Sequence, residues 1–347
     1  MKKNLNEVLV TNVSTFNKYK DRIQKAKNNK SLAFILGGGV SAEFKIPLWN
    51  DLIAHLLTEH LSKQKSHLNK NKLELLEFSR NFIKSRNINL TILARFLRKQ
   101  YNKENWFKVV HKSIYSSLDK IKYKDEIKSS RSALGYLTKL AKENSNLIFL
   151  TYNFDSLLEE FFEARKIYGS KDYRSYHEPR GRIIPYKINI FHIHGYLPHS
   201  KNAPELFSTS SKQLVLCEDD YHISAISPTT WQNSIPLSVL LTRTCIFVGT
   251  SLTDSNQRRL LDTYKTIVEV KELEKTGKGI PGLRFHYALL RHPNYERKIP
   301  VKETQLDRLA TKEYANIQEK ILKDLRVYPI WYKEHEDIPF ILNKIFN

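Results

Sequence analysis

Three of the chain's eleven glycines are consecutive, Gly37-Gly38-Gly39, at the end of the apolar run Leu32-Ala33-Phe34-Ile35-Leu36 and just before Val40-Ser41-Ala42-Glu43. An otherwise glycine-poor chain has placed them where a buried strand turns into a helix. Glycine tolerates positive φ and lacks a Cβ, so backbone there can approach a ligand closely. The amides of such a turn, with the positive end of the following helix, face an anion, and a phosphate or pyrophosphate is the expected guest. The segment is neither a G-x-G-x-x-G fingerprint, since Ala42 stands at its last position, nor a P-loop, since no Gly-Lys-Ser/Thr follows.

Short apolar runs of the same kind recur at Leu147–Thr151, Ile188–Ile193, Thr244–Val248, Phe285–Leu290 and Val327–Trp331. They are nearly continuous rather than alternating, as parallel strands covered on both faces read. Helical patterns such as Ser156–Phe162 and Ile317–Leu322 lie between them. This alternation predicts an α/β fold, a Rossmann-like doubly wound and mostly parallel sheet. Residues 50–146 break the rhythm with apolar residues at helical spacing, Leu73, Leu76, Phe78 and Phe82, then Leu90, Leu93, Phe96 and Leu97. The expectation is one domain over 1–347, with a core of 31–49 and 147–347 and a helical insertion at 50–146. Lys171–Arg182 and Pro198–Ser211 read as polar loops.

Three further constellations each follow a predicted strand, where ligands of open α/β sheets bind. Thr151-Tyr152-Asn153-Phe154-Asp155 places an amide and a carboxylate at a strand-to-helix junction, suited to chemistry or to a helix cap. In Phe191-His192-Ile193-His194-Gly195 the two histidines share one face if the strand continues, and His194 is placed to act as a base near neutral pH. A pair of satisfied core histidines is the alternative. Gly249-Thr250-Ser251-Leu252-Thr253-Asp254 offers small and hydroxyl residues for ribose or phosphate oxygens, or a helix start.

In this order, the four segments resemble the SIR2 (sirtuin) superfamily, whose segments are G-A-G-x-S-x-x-x-G-I-P, T-x-N-x-D, a strand ending in H-G, and G-T-S. Here they are Gly37-Gly38-Gly39-Val40-Ser41 with Ile46-Pro47, Thr151-Asn153-Asp155, His194-Gly195 and Gly249-Thr250-Ser251. Leu48-Trp49-Asn50 stands where the deacylases carry Asp-Phe-Arg. Cys217 and Cys245 alone cannot make their four-cysteine zinc module. Lys45 replaces the glycine before Ile-Pro, so a different local turn is expected. With these departures the chain looks more like the SIR2-like NAD+ hydrolases of bacterial antiphage defence.

The resemblance implies NAD+ as substrate and no metal. Gly37, Gly38, Gly39 and Ser41 would cradle the diphosphate, with Pro47, Trp49 and Thr151 nearby and Gly249, Thr250 and Ser251 completing the wall. Asp155 would hold the carboxamide, Asn153 the ribose or water, and His194 would accept a proton, with His192 supporting from behind. It also implies a separate activating partner (an ATPase, an Argonaute-like protein or a nucleotide-processing enzyme) and a homo-oligomer or hetero-complex. A deacylase or ADP-ribosyltransferase, or a module that senses NAD+ or ADP-ribose without turnover, are the competing readings.

Composition bounds these readings. A formal charge of +21, much of it in Lys63–Lys72 and Arg95–Lys128, fits either lysine-rich solvent faces or contact with nucleic acid or an acidic partner. No apolar run approaches the roughly 18 to 20 residues that span a bilayer, and the first residues lack a signal-peptide core. A cytoplasmic protein without membrane contact is expected.

Overall fold

The sheet has seven strands: β1 (Leu32–Leu36), β2 (Ile148–Thr151), β3 (Tyr173–Tyr176), β4 (Ile188–His192), β5 (Thr244–Val248), β6 (His286–Arg291) and β7 (Val327–Tyr332), in the order β3-β4-β2-β1-β5-β6-β7. Every neighbouring pair is parallel. The computed structural model describes residues 4–64, 71–144, 146–167, 172–178, 187–200, 214–226, 229–274, 285–295 and 305–347. All residues of β1, β4 and β5 are buried, which is why their sequences run apolar without alternation. The side chains still divide by parity. Phe34, Leu36, Ile246 and Val248 enter one core layer, while Ala33, Ile35, Cys245 and Phe247 enter the other.

Helices cover both faces. Before β1 come α1 (Leu5–Val8) and α2 (Val13–Asn28). Between β1 and β2 lie α3 (Gly39–Ala42), α4 (Trp49–Gln64), α5 (Lys72–Arg86), α6 (Leu90–Arg98), α7 (Lys103–Tyr115), α8 (Lys120–Glu126) and α9 (Ala133–Glu143). α10 (Leu157–Ala164) follows β2; α11 (Glu218–Ile226) and α12 (Trp231–Thr242) precede β5. α13 (Ser255–Glu274), α14 (Gln305–Asp324) and α15 (Ile338–Phe346) complete the described helices. The chain's abundant asparagine has a local use here. Asn12, Asn71, Asn89 and Asn102 each accept a first-turn N–H at a helix start, as do Asp119 and Ser132. Each such cap contributes about 1 kcal/mol.

Within residues 50–146, α4 packs against α5, α6 and α7, whereas α9 lies on the sheet layer beside α10 and α15. Arg95 and Arg98 of α6 pair with Glu218, Asp219 and Asp220 of α11, joining the helical segment to the core. Tyr115 of α7 gives its hydroxyl proton to Leu197 O at 2.7 Å and accepts from Ser156 N at 3.1 Å. Among the described residues, no helix is long and apolar enough to cross a membrane.

One expectation is corrected. Tyr173–Tyr176, inside the segment read as the loop Lys171–Arg182, is the edge strand β3 paired with β4. Its two tyrosines are buried and Arg174 is exposed, so its polar composition is that of an edge with one wet side. Lys171 and residues 179–182, residues 201–211 of the second loop and 65–70 of the first basic stretch lie outside the described residues.

Candidate functional site

The chain leaves β1 toward β2 on one side and later returns to β5 on the other. The sheet's switch point therefore falls between β1 and β5. Both glycine segments end there, and they touch. Gly37 N donates to Val248 O at 3.0 Å and Gly39 N to Gly249 O at 2.8 Å. A Cβ on Gly37 would stand 2.7 Å from Gly249 O, and one on Gly249 would stand 2.5 Å from Val40 N. This corrects the expected reason for the glycines. Gly249 (φ 69°) has positive φ, whereas Gly37, Gly38 and Gly39 do not. Gly37 and Gly39 are required by the near-contact of two main chains, whereas a Cβ on Gly38 would meet only the Leu48 side chain, at 3.0 Å. Two of the three amides expected to face an anion are already bonded to the neighbouring strand and loop. α3 has only four residues, so its dipole is short.

Beside this turn, at the end of β2, a compact polar group forms. Asn153 Nδ2 donates to Gly37 O at 3.1 Å and to Ser41 Oγ at 3.2 Å. Ser41 Oγ donates to Asp155 Oδ1 at 3.2 Å, and Leu157 N donates to the same oxygen at 3.1 Å. Thr151 Oγ1 accepts from Asn153 N at 3.1 Å. Asp155 thus holds the first amide of α10 and belongs to the group around Ser41 at once. Burial pushes its carboxyl up to about 6, against the lowering effects of the Leu157 amide, Ser41 and His192.

The two histidines part company. β4 ends at His192, and the chain turns at once: Gly195 N donates to His192 O at 3.2 Å and Gly195 has φ 97°. The period-two argument stops there, and the rings share no partner. His192 meets Glu159 Oε1 through Nε2 at 2.7 Å and Asn153 O through Nδ1 at 3.2 Å. The ring of His194 instead lies edge-on to Tyr152, with centroids 4.8 Å apart, and 5.6 Å from Tyr221. Its Nε2 is buried with no hydrogen-bond partner. Burial holds its pKa below the usual histidine value, although the carboxylates of Asp254 and Asp220 pull the other way. A neutral imidazole results.

His194 is therefore outside the hydrogen-bonded group of Gly37, Ser41, Asn153 and Asp155. Its link to the second glycine segment runs through side chains. Gln257, whose Oε1 accepts from Thr250 Oγ1 at 3.2 Å, stands by the Tyr152 hydroxyl. Tyr221 donates to Asp254 Oδ2 at 3.3 Å. Ser251 is exposed, with its hydroxyl 2.7 Å from that of Thr253. Pro47 is half-buried, and Trp49, at the start of α4, packs partly against the core. Lys45 has φ 62°, the left-handed conformation that a glycine adopts freely, and its ammonium pairs with Asp119 at 3.0 Å.

Sequence reasoning missed Glu159, Tyr221 and Gln257. Glu159 carried a visible signal, a carboxylate flanked by the apolar Leu157-Leu158 and Phe161-Phe162. Among the described residues, one group has metal-ligand chemistry, Cys217, Asp219 and Asp220. The oxygens of Asp220 already serve the fold. Asp220 accepts from Leu216 N and Cys217 N and pairs with Arg98. Burial pushes the Cys217 thiol up to about 12, so it stays protonated.

The C-terminal ends of β4, β2, β1 and β5 thus carry the four segments side by side. Strands lie about 4.8 Å apart, so the row is about 15 Å wide, the scale of a dinucleotide rather than a single phosphate. No curated protein matches the chain. Residues 147–317, just under half of the chain, match the SIR2-like domain family model, which supports placing this Rossmann-like protein with the SIR2 superfamily.

Proposed function

We propose that the protein is an NAD+ hydrolase that cleaves the bond between nicotinamide and ribose, releasing nicotinamide and ADP-ribose. The observation that carries this reading is the buried His194 Nε2, which has no protein partner, beside a row of strand ends that bears Asn153, Asp155 and the two glycine segments. An orphaned buried polar atom of this kind is satisfied by a ligand or by water.

The scissile bond breaks through an oxocarbenium-like state, as in glycoside hydrolysis. The neutral His194 imidazole accepts a proton from a ribose hydroxyl or from the attacking water. Asn153, held by Gly37 and Ser41, orients that oxygen. Asp155, with a carboxyl near pH 6, meets the carboxamide. Gly38, Ser41, Thr250 and Ser251 line the diphosphate, while the bonded amides of Gly37 and Gly39 set the shape of the floor rather than serve as donors.

The same reading places the protein in the cytoplasm as a regulated effector of antiphage defence. A separate partner releases its activity, and the basic surface is available for that partner or for nucleic acid. Incubation of the purified protein with NAD+ alone is the test, with products followed by mass spectrometry. Nicotinamide and ADP-ribose in equal amounts support hydrolysis. Turnover only with an acylated peptide or a protein acceptor favours a deacylase or ADP-ribosyltransferase. Tight binding without product, with and without a co-purified neighbour, favours a sensing module.

A further inference from the structure

His192 is fully buried at the end of β4, and both of its ring nitrogens face oxygen atoms. Nδ1 meets Asn153 O, a carbonyl that can only accept, so Nδ1 carries a proton. Nε2 meets Glu159 Oε1 at 2.7 Å, the length of a charge-assisted bond. That oxygen also accepts from Ser175 Oγ of β3 at 2.6 Å. Asn153, whose carbonyl the ring holds, is the residue whose amide reaches Gly37 and Ser41.

We propose that His192 and Glu159 are positioning residues: a buried imidazolium–carboxylate pair, tied to the edge strand through Ser175, that fixes the main chain at Asn153 and so aims its side chain into the site. Its meaning for catalysis rests on the NAD+ hydrolase reading; the charge pair itself does not. The groups around the ring are Glu159 of α10, Asp155 from the loop before α10, and Tyr196, whose ring centroid lies 4.5 Å from that of the imidazole. Burial alone would lower the histidine's pKa, but Glu159, the Asn153 carbonyl and Asp155 together raise it. Burial would likewise raise Glu159, and His192 and Ser175 bring it below the usual glutamate value. The two directions agree on an ionised pair. The polar residues of β3 acquire a purpose as well, because Ser175 is the hydroxyl that orients Glu159.

The test uses the full chain labelled with 15N-histidine. At pH 8.5, one of the twelve histidines is expected to show protons on both ring nitrogens. That signal disappears in His192→Gln and becomes a neutral-ring signal in Glu159→Gln. Absence of any doubly protonated ring in the wild type, or its persistence in His192→Gln, overturns the pair. For the positioning role, Glu159→Gln is expected to lower kcat for NAD+ cleavage by about 100-fold with little change in KM, the scale of a displacement near 1 Å. Should that variant not fold, Ser175→Ala provides the readout, with a several-fold loss in kcat and a shifted His192 resonance. Unchanged kcat in either folded variant overturns positioning. If the wild type does not cleave NAD+ at all, the hydrolase reading falls, and the spectrum still decides the pair.

Discussion

His192 and His194 are separated by one residue, both are buried, and their pKa values are moved in opposite directions. Burial pushes each toward the neutral form. At His194 nothing within hydrogen-bond reach resists it, and the distant carboxylates of Asp254 and Asp220 only moderate the shift. At His192 a carboxylate 2.7 Å away reverses it. One ring is thereby suited to take up a proton and the other to keep one. What separates the unpartnered histidine from the paired one here is the turn at Gly195, not the type of residue.

The largest expected effect comes from removing the unpartnered ring. His194→Ala should lower NAD+ cleavage by about 10²- to 10⁴-fold in a protein that still folds, since the ring's Nε2 gives up no protein hydrogen bond. Full activity in this variant removes the base assignment.

At His192 a large loss of stability is expected beside any loss of kcat. His192→Ala should cost about 3–5 kcal/mol of stability, because it strands a buried carboxylate. The raised pKa of His192 contributes stability that is full below about pH 6.5 and lost as pH climbs through its folded value. The lowered pKa of Glu159 contributes stability that is full above about pH 4.5 and lost as pH falls through its folded value. The difference between wild type and variant in chemical denaturation should therefore be greatest between about pH 4.5 and 6.5. A flat difference across pH breaks the comparison.

A smaller effect of the other sign is expected at Asp155. Its carboxyl, raised to about 6, favours the folded state when protonated and loses that contribution as pH rises through 6. Asp155→Asn, which keeps an acceptor for Leu157 N, should stabilise the protein by about 1–3 kcal/mol at pH 8 and depress NAD+ cleavage. Equal melting temperatures at pH 8 argue against the raised carboxyl. The smallest effect is at Lys45. Lys45→Gly relieves a left-handed lysine and gives up only an exposed ion pair, so a gain of about 1 kcal/mol is expected in urea unfolding.

Much of this was legible in the sequence. Six of the seven strands stood out as apolar runs, because a doubly covered parallel strand has no polar face to disguise it. β3 did not, since an edge strand with exposed Arg174 and a hydroxyl used by Glu159 reads as loop. The candidate residues were visible as strand-end motifs. Their partners were not: Glu159 meets His192 across 33 residues, and Tyr221 meets Asp254 across another 33. Contacts of that separation are set by strand order, which local pattern does not encode. The triple glycine was read in the right place for an incomplete reason, because the demand for a missing Cβ comes from a loop more than 200 residues away.

That demand is reciprocal, and it limits how the protein can be altered. A methyl group added at 37 or 39 strikes the segment at 249, and one added at 249 strikes back at 39 and 40. No second substitution can restore the clearance, since the obstacle on each side is main chain. Anyone reshaping this cleft would have to leave the seam between the two crossings intact and work from its flanks.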